Sequence, residues 1–215
     1  CCVGTGMENH GKYGQFIYTH AGDALFVNLY AASQLDWKER GITLRQETAF
    51  PYSENSTITI AEGKGTFNLM VRYPGWVHPG EFKVSVNGKP VDIITGPSSY
   101  VSIHRKWKKG DAVNIHFPMH SSLRYLPNEP QYVALMHGPI LLGMKTGTES
   151  MASLIADDSR FVQYAGGPKQ PIDKAPILIN NDIASIPSQL TPVSGSRTLC
   201  SRRQADRKLQ HRYLL

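Results

Sequence analysis

From Ala24 to Met144 the chain is a succession of short alternating runs, each closed by a turn signal. That pattern restricts the fold more than any other feature. Leu25-Phe26-Val27-Asn28-Leu29-Tyr30 predicts a strand, continuing towards Leu35. Further strands follow at 42–48, 56–60, 66–73, 82–86, 100–103, 112–117, 132–136 and 140–144. Glu39-Arg40-Gly41, Pro74-Gly75, Lys109-Gly110-Asp111 and His137-Gly138-Pro139 punctuate them. Asn87-Gly88 is the strongest hairpin signal, because both residues tolerate the positive φ of a two-residue turn. Period-two alternation buries one face of each strand and wets the other. Eight to ten such strands predict a mainly β fold, an antiparallel β-sandwich.

Before the strands lies Cys1-Cys2-Val3-Gly4-Thr5-Gly6-Met7-Glu8-Asn9-His10, the densest group of reactive side chains in the chain. Tyr13, Phe16, Ile17 and His20 recur at three- and four-residue spacing, which predicts one helix over residues 8–21. Gly4 and Gly6 allow a sharp backbone turn ahead of it, and Gly22-Asp23 ends it. A helix start beside the cysteines lowers thiol pKa through its dipole. Taken from spacing alone, Cys1 and Cys2 admit three fates. They are buried small hydrophobes, metal ligands, or include a nucleophile activated by a metal or a helix dipole.

Glu8 and His10 point different ways on a helix. The plainer reading makes them a surface carboxylate and a hydrogen-bonded core imidazole. His20, His78, His104, His116, His120, His137 and His211 show no metal-ligand spacing. Trp76 and Trp107 are either sugar platforms or core residues, and sandwiches commonly bury such tryptophans.

The net charge of +6 comes from 23 Lys and Arg against 17 Asp and Glu. Six of the bases (Arg197, Arg202, Arg203, Arg207, Lys208 and Arg212) lie after Ser194, against only Asp206. Without them 17 bases face 16 acids, so the body is nearly neutral. No basic face interleaved with aromatics points to nucleic acid. No apolar run reaches the roughly 18 residues of a membrane span. Four segments are expected: 1–23, holding the cysteines and the helix; the sandwich, 24–145; a proline-punctuated linker and partial second β unit, 146–193, with a helical turn at 153–158 and a strand at 175–179; and an anomalous basic tail, 194–215, which resembles out-of-frame translation more than the end of a sandwich, the alternative being a basic interaction tail. Cys200 falls in that tail and is expected to be incidental.

The Cys-Cys-Val-Gly-Thr-Gly-Met-Glu-Asn-His run resembles the β-L-arabinofuranosidases of glycoside hydrolase families 127 and 146, together with Tyr18 and Leu25-Phe26-Val27-Asn28-Leu29-Tyr30. Gln46-Glu47-Thr48-Ala49-Phe50-Pro51, Val71-Arg72-Tyr73-Pro74-Gly75-Trp76, Val86-Asn87-Gly88, Arg105-Lys106-Trp107-Lys108-Lys109-Gly110-Asp111 and Ala134-Leu135-Met136-His137-Gly138-Pro139-Ile140 are similar to that group's sandwich motifs. The opening run is nearer to family 146. The resemblance implies that the helix is the last of an (α/α)6 barrel and that the chain is the C-terminal portion of a larger retaining enzyme. It further implies Cys1 as nucleophile and Cys1 and Cys2 as ligands of a zinc ion. The acid/base glutamate and remaining ligands would lie upstream. The implied substrate is an arabinose-containing plant-type glycan, and the implied compartment is periplasmic or secreted in a bacterium. The isolated chain is then expected to be inactive and to retain no zinc. The competing reading is a non-catalytic sandwich, either a carbohydrate-binding module or a structural accessory. Oligomeric state is open.

Overall fold

The computed structural model describes residues 2–143, 182–192 and 199–201. Cys1, most of the basic tail, and the segments expected as a turn at 153–158 and a strand at 175–179 lie outside the described residues. The chain divides into two compact units, Cys1–His120 and Ser121–Leu215.

The first unit opens with helix α1 (Cys2–Phe16). Strands β1 (Tyr18–Ala21), β2 (Ala24–Val27), β3 (Ser33–Trp37), β4 (Ile42–Thr48), β5 (Asn55–Glu62) and β6 (Lys64–Tyr73) follow, and then β7 (Lys83–Val86), β8 (Lys89–Pro90), β9 (Ser99–Lys108) and β10 (Ala112–His116). One sheet runs β1-β2-β6-β9 and the other β3-β4-β5-β10-β7-β8. The β2–β6 pair is parallel, Ala24 opposite Asn68 through Val27 opposite Val71. Every other strand pair in the two sheets is antiparallel. The β2-to-β6 connection carries the chain through β3, β4 and β5 of the opposite sheet, so the two sheets are built by one continuous crossing.

Alternation explains the core. Leu25 and Val27 of β2, Phe67, Leu69, Val71 and Tyr73 of β6, and Val101, Ile103 and Trp107 of β9 are buried. Opposite them stand Ile42 and Leu44 of β4, Ile58 and Ile60 of β5, Val84 and Val86 of β7, and Val113 and Ile115 of β10. All belong to one cluster, which makes the two sheets a sandwich. Each such apolar side chain contributes about 1.5–3 kcal/mol on burial. Gln46 and Ser56 take the polar places in that layer. The Gln46 amide donates to the carbonyls of Leu29 (3.1 Å) and Ala31 (2.8 Å). The irregular stretch between β2 and β3 is thereby satisfied, which is why the expected unbroken strand to Leu35 splits in two.

The helix lies earlier than its periodicity predicts. Gly4 and Gly6 are helical, and the turn expected at them does not occur. Tyr18–Ala21 pairs with β2 across Gly22-Asp23, with Ala21 opposite Ala24 and Gly22 at φ 60°. β-Formers with a ready partner strand outweigh three-residue spacing. Asn28 fixes the change of direction. Its backbone N–H donates to the Ile17 carbonyl (2.9 Å). Its side chain donates to the carbonyl of Phe16 (3.2 Å) and to Thr19 Oγ1 (3.0 Å), and its Oδ1 accepts from the Tyr100 hydroxyl (2.7 Å).

Asn87 (φ 53°) and Gly88 (φ 79°) form the expected two-residue turn, with Val86 opposite Lys89. Asn87 also ties this turn to the β9–β10 turn. Its amide donates to Asp111 Oδ1 (2.8 Å) and its Oδ1 accepts from the Ala112 N–H (2.9 Å). Asp111 Oδ2 accepts from the Lys108 N–H (3.0 Å) and lies 3.6 Å from Arg105 Nη2. Burial opposes the charged carboxylate. The hydrogen bonds from Asn87 and Lys108 and the charges of Arg105 and Lys108 outweigh it and hold the Asp111 carboxyl below its ordinary value. A lowered folded pKa stabilises the protein above the unfolded value of about 3.9 and is lost as pH falls through the folded value. Urea midpoints measured downward from pH 7 are therefore expected to hold until about pH 4 and to fall below it. Asp111→Asn should start from a lower midpoint and show a shallower acid decline; an unchanged decline would mean that Asp111 does not drive it.

The second unit contains β11 (Ser121–Leu126), β12 (Glu129–His137) and β13 (Ile140–Leu141) in one antiparallel sheet. A short helix α2 (Ile186–Gln189) precedes β14 (Leu190–Pro192), which pairs with β15 (Leu199–Ser201). The run grouped with the sandwich up to 145 thus forms its own ladder from Ser121 onward. β12 is half-buried rather than alternately buried, unlike the sandwich strands. Cys200, in the basic tail, lies opposite Thr191.

Candidate functional site

The sequence offered one site, the cysteine pair. Cys2 is the first residue of α1. Gly4, Gly6, Gly11 and Gly14 each cost the helix roughly 1 kcal/mol relative to Ala. From Gly4 to Gly14 every residue is exposed. Met7, Tyr13 and Phe16 are 73%, 52% and 56% exposed. Glu8 is a surface carboxylate as expected, in an i,i+4 pair with Lys12 at 2.8 Å. His10 is not a core residue. It is exposed, with Nδ1 3.3 Å from the Gly6 carbonyl and its ring edge-on to Tyr13. Every neighbour of His10 on the helix is exposed as well, so the imidazole stays in solvent.

Trp107 is fully buried and donates Nε1–H to the Phe67 carbonyl (3.1 Å). Trp76 packs against the core beside Phe50 and Phe117. Both tryptophans serve the core, not a sugar platform. Tyr30 is buried in the core and Tyr18 is half-buried against it. Burial raises both phenol pKa values, and the Tyr30 hydroxyl donates to the Arg72 carbonyl.

The structure brings together three groups that spacing along the chain did not connect. His78 and Glu81 lie in the β6–β7 loop, and His120 closes the first unit. His120 Nε2 is 2.6 Å from Glu81 Oε2, and His78 Nδ1 is 3.9 Å from the same oxygen. The two imidazoles stack with centroids 4.5 Å apart and 12° between their planes. One side chain and one stack hold the loop. The Tyr73 hydroxyl, from the buried end of β6, donates to the His78 carbonyl (2.9 Å) and accepts the Gly80 N–H (3.2 Å). Tyr73 stacks on Phe82 at 4.5 Å. On the other side, Phe117 and Met119 are buried, and Glu54 accepts the Met119 N–H (2.7 Å). The only signal in the sequence was His78-x-x-Glu81; its partner is 39 residues further on.

Comparison with known proteins places these features. Residues 24–119 match the family model of the β-L-arabinofuranosidase GH127 middle domain. Residues 122–213 match a domain of unknown function. The second match runs across the compositional break at Ser194. The run 1–9, with its likeness to family 146, lies outside both. No curated protein matches the chain. Among solved structures, one named a glycoside hydrolase shares 30% identity at a TM-score of 0.58, covering 66% of this chain and 24% of its own. A GH127 β-L-arabinofuranosidase from Geobacillus stearothermophilus T6 shares 33% identity at 0.57, covering 66% and 23%. A GH127 β-arabinofuranosidase shares 31% at 0.51, covering 58% and 23%.

The two-sheet unit is thus a β-sandwich with relatives among glycoside hydrolases. The chain carries a middle domain of the GH127 type at residues 24–119. It spans about a quarter of the length of the structures it matches.

Proposed function

We propose that this chain is the C-terminal part of a retaining β-L-arabinofuranosidase in which Cys1 is the nucleophile and the sandwich is structural. The observation that carries the reading is the GH127 middle-domain match over residues 24–119, preceded in the chain by the Cys1-Cys2 pair. The exposed Met7, Tyr13 and Phe16 support it, since large apolar side chains left in solvent on one short helix are commonly covered by further protein.

The chemistry follows from the residues. A thiol attacks an acetal carbon only as thiolate, and a helix N-terminus favours that form. The Cys1 sulfur forms a bond to the anomeric carbon while the bond to the leaving oxygen breaks, and that oxygen takes a proton from a carboxylic acid. Water then displaces the sulfur with the same carboxylate as base. Retention requires the two groups about 5–5.5 Å apart across the sugar. Adjacent Cys1 and Cys2 supply two soft donors, half of a tetrahedral zinc set, and fit that metal by chemistry. When bound, zinc supplies deprotonation of coordinating thiols. The substrate is a β-L-arabinofuranoside of a plant-type glycan, met in the periplasm or outside a bacterial cell.

A structural sandwich is favoured over a sugar-binding one by its outer faces. Thr57 with Asn114, and Asn68 with Ser102, form small polar cross-strand pairs there. Tyr52 is the one exposed large aromatic of the described sandwich residues, and it sits in a loop. The test compares arabinose release by this chain with release by the protein extended at the N-terminus. The extended protein is expected to be active and this chain silent. Hydrolysis by this chain alone would overturn the reading.

A further inference from the structure

We propose that His78, Glu81 and His120 form a second metal site, for a zinc-type divalent transition cation, separate from the cysteine pair. Two imidazoles and one carboxylate are the donors such ions prefer, and three protein ligands leave a position for water. The three ligand atoms lie within 4.8 Å of one another. A zinc ion needs nitrogens and oxygen about 2.0–2.2 Å from its centre. Ligand atoms around such an ion stand roughly 3.3 Å apart, and the 2.6 Å and 3.9 Å separations from Glu81 to His120 and His78 bracket that spacing.

The support beneath the ligands makes this more than a surface meeting of side chains. Tyr73 grips the loop at both His78 and Gly80, and Glu54 grips the chain at Met119, one residue before His120. Both anchors come from buried or core-flanking residues, so the backbone presents the ligands without loop reorganisation. The ligands themselves are accessible, with side chains 58%, 41% and 43% exposed, so an ion enters from solvent. Bound there, it would cross-link the β6–β7 loop to the last residue of the first unit. Its role is to fix that end of the sandwich.

Thiols would compete for the same ions. The test therefore uses the full chain with Cys1, Cys2 and Cys200 replaced by Ser, titrated calorimetrically with zinc chloride and, in parallel, with cobalt(II). One equivalent is expected to bind. Cobalt should give visible d–d bands without a thiolate charge-transfer band, and Tm should rise with zinc concentration. His78→Ala and His120→Ala should each weaken binding roughly tenfold or more, and Glu81→Gln should weaken it while keeping a hydrogen-bond partner for His120. These are exposed side chains, so the variants retain the fold. Absence of binding, or equal affinity in all three variants, would overturn the proposal and leave an imidazole–carboxylate hydrogen bond only.

Discussion

Cys1→Ala in the N-terminally extended protein is expected to lower kcat/KM for a β-L-arabinofuranoside by roughly a thousandfold or more, the scale of losing a covalent nucleophile. KM should change little, because the thiol acts on the anomeric carbon in the transition state and adds little to ground-state binding. Cys1→Ser separates two reasons for the loss. A hydroxyl keeps the shape and can accept a hydrogen bond, but it has no thiolate form near neutral pH. If Cys1 acts by nucleophilic attack, Ser should be nearly as inactive as Ala. If Cys1 only packs beside the site, Ser should recover most of the activity. Cys2→Ala should also reduce activity, with a larger change in zinc content than Cys1 packing alone would give.

The largest effect on stability is expected at Trp107. Its ring is fully buried, lies 5.6 Å from Phe67 between centroids, and carries the Arg105 guanidinium at 5.1 Å. Its Nε1–H satisfies the Phe67 carbonyl. Trp107→Ala removes this volume from the layer between the sheets and should cost about 3–5 kcal/mol. Trp107→Phe retains most of the contact area and loses the hydrogen bond, at about 1–3 kcal/mol. Urea unfolding followed by circular dichroism reads both. Equal effects of the two substitutions would place the contribution in the hydrogen bond, not the packing. The same pair of variants bears on sugar binding: with Trp107 enclosed, neither should alter affinity for arabinan oligosaccharides except through unfolding.

The sandwich was legible because its signals are local. Strand β4 at 42–48 and the Asn87-Gly88 turn follow from alternation and turn chemistry, which neighbouring residues decide. The helix was misplaced because the deciding groups are distant. Asn28 takes the carbonyls of Phe16 and Ile17, and β2 gives Tyr18–Ala21 a partner. Periodicity cannot register either. The break at Ser121 was hidden for a related reason: β11 and β12 read as ordinary strands, and only their pairing shows that they form a separate sheet. The parallel β2–β6 pair is a property of the crossing, not of either strand's residues. At the candidate sites the contrast is similar. The cysteine pair was visible as two letters side by side. The His78–Glu81–His120 cluster depends on a 39-residue return of the chain, with Tyr73 and Glu54 as supports whose role no spacing suggests.

Mass spectrometry of the enzyme trapped on a slow arabinoside substrate reads the nucleophile directly. The N-terminally extended protein, quenched during turnover, is expected to carry one anhydropentose on the peptide containing Cys1-Cys2, with fragmentation placing it on the Cys1 sulfur. An adduct on a carboxylate elsewhere, or turnover with inverted anomeric configuration and no adduct, would contradict it.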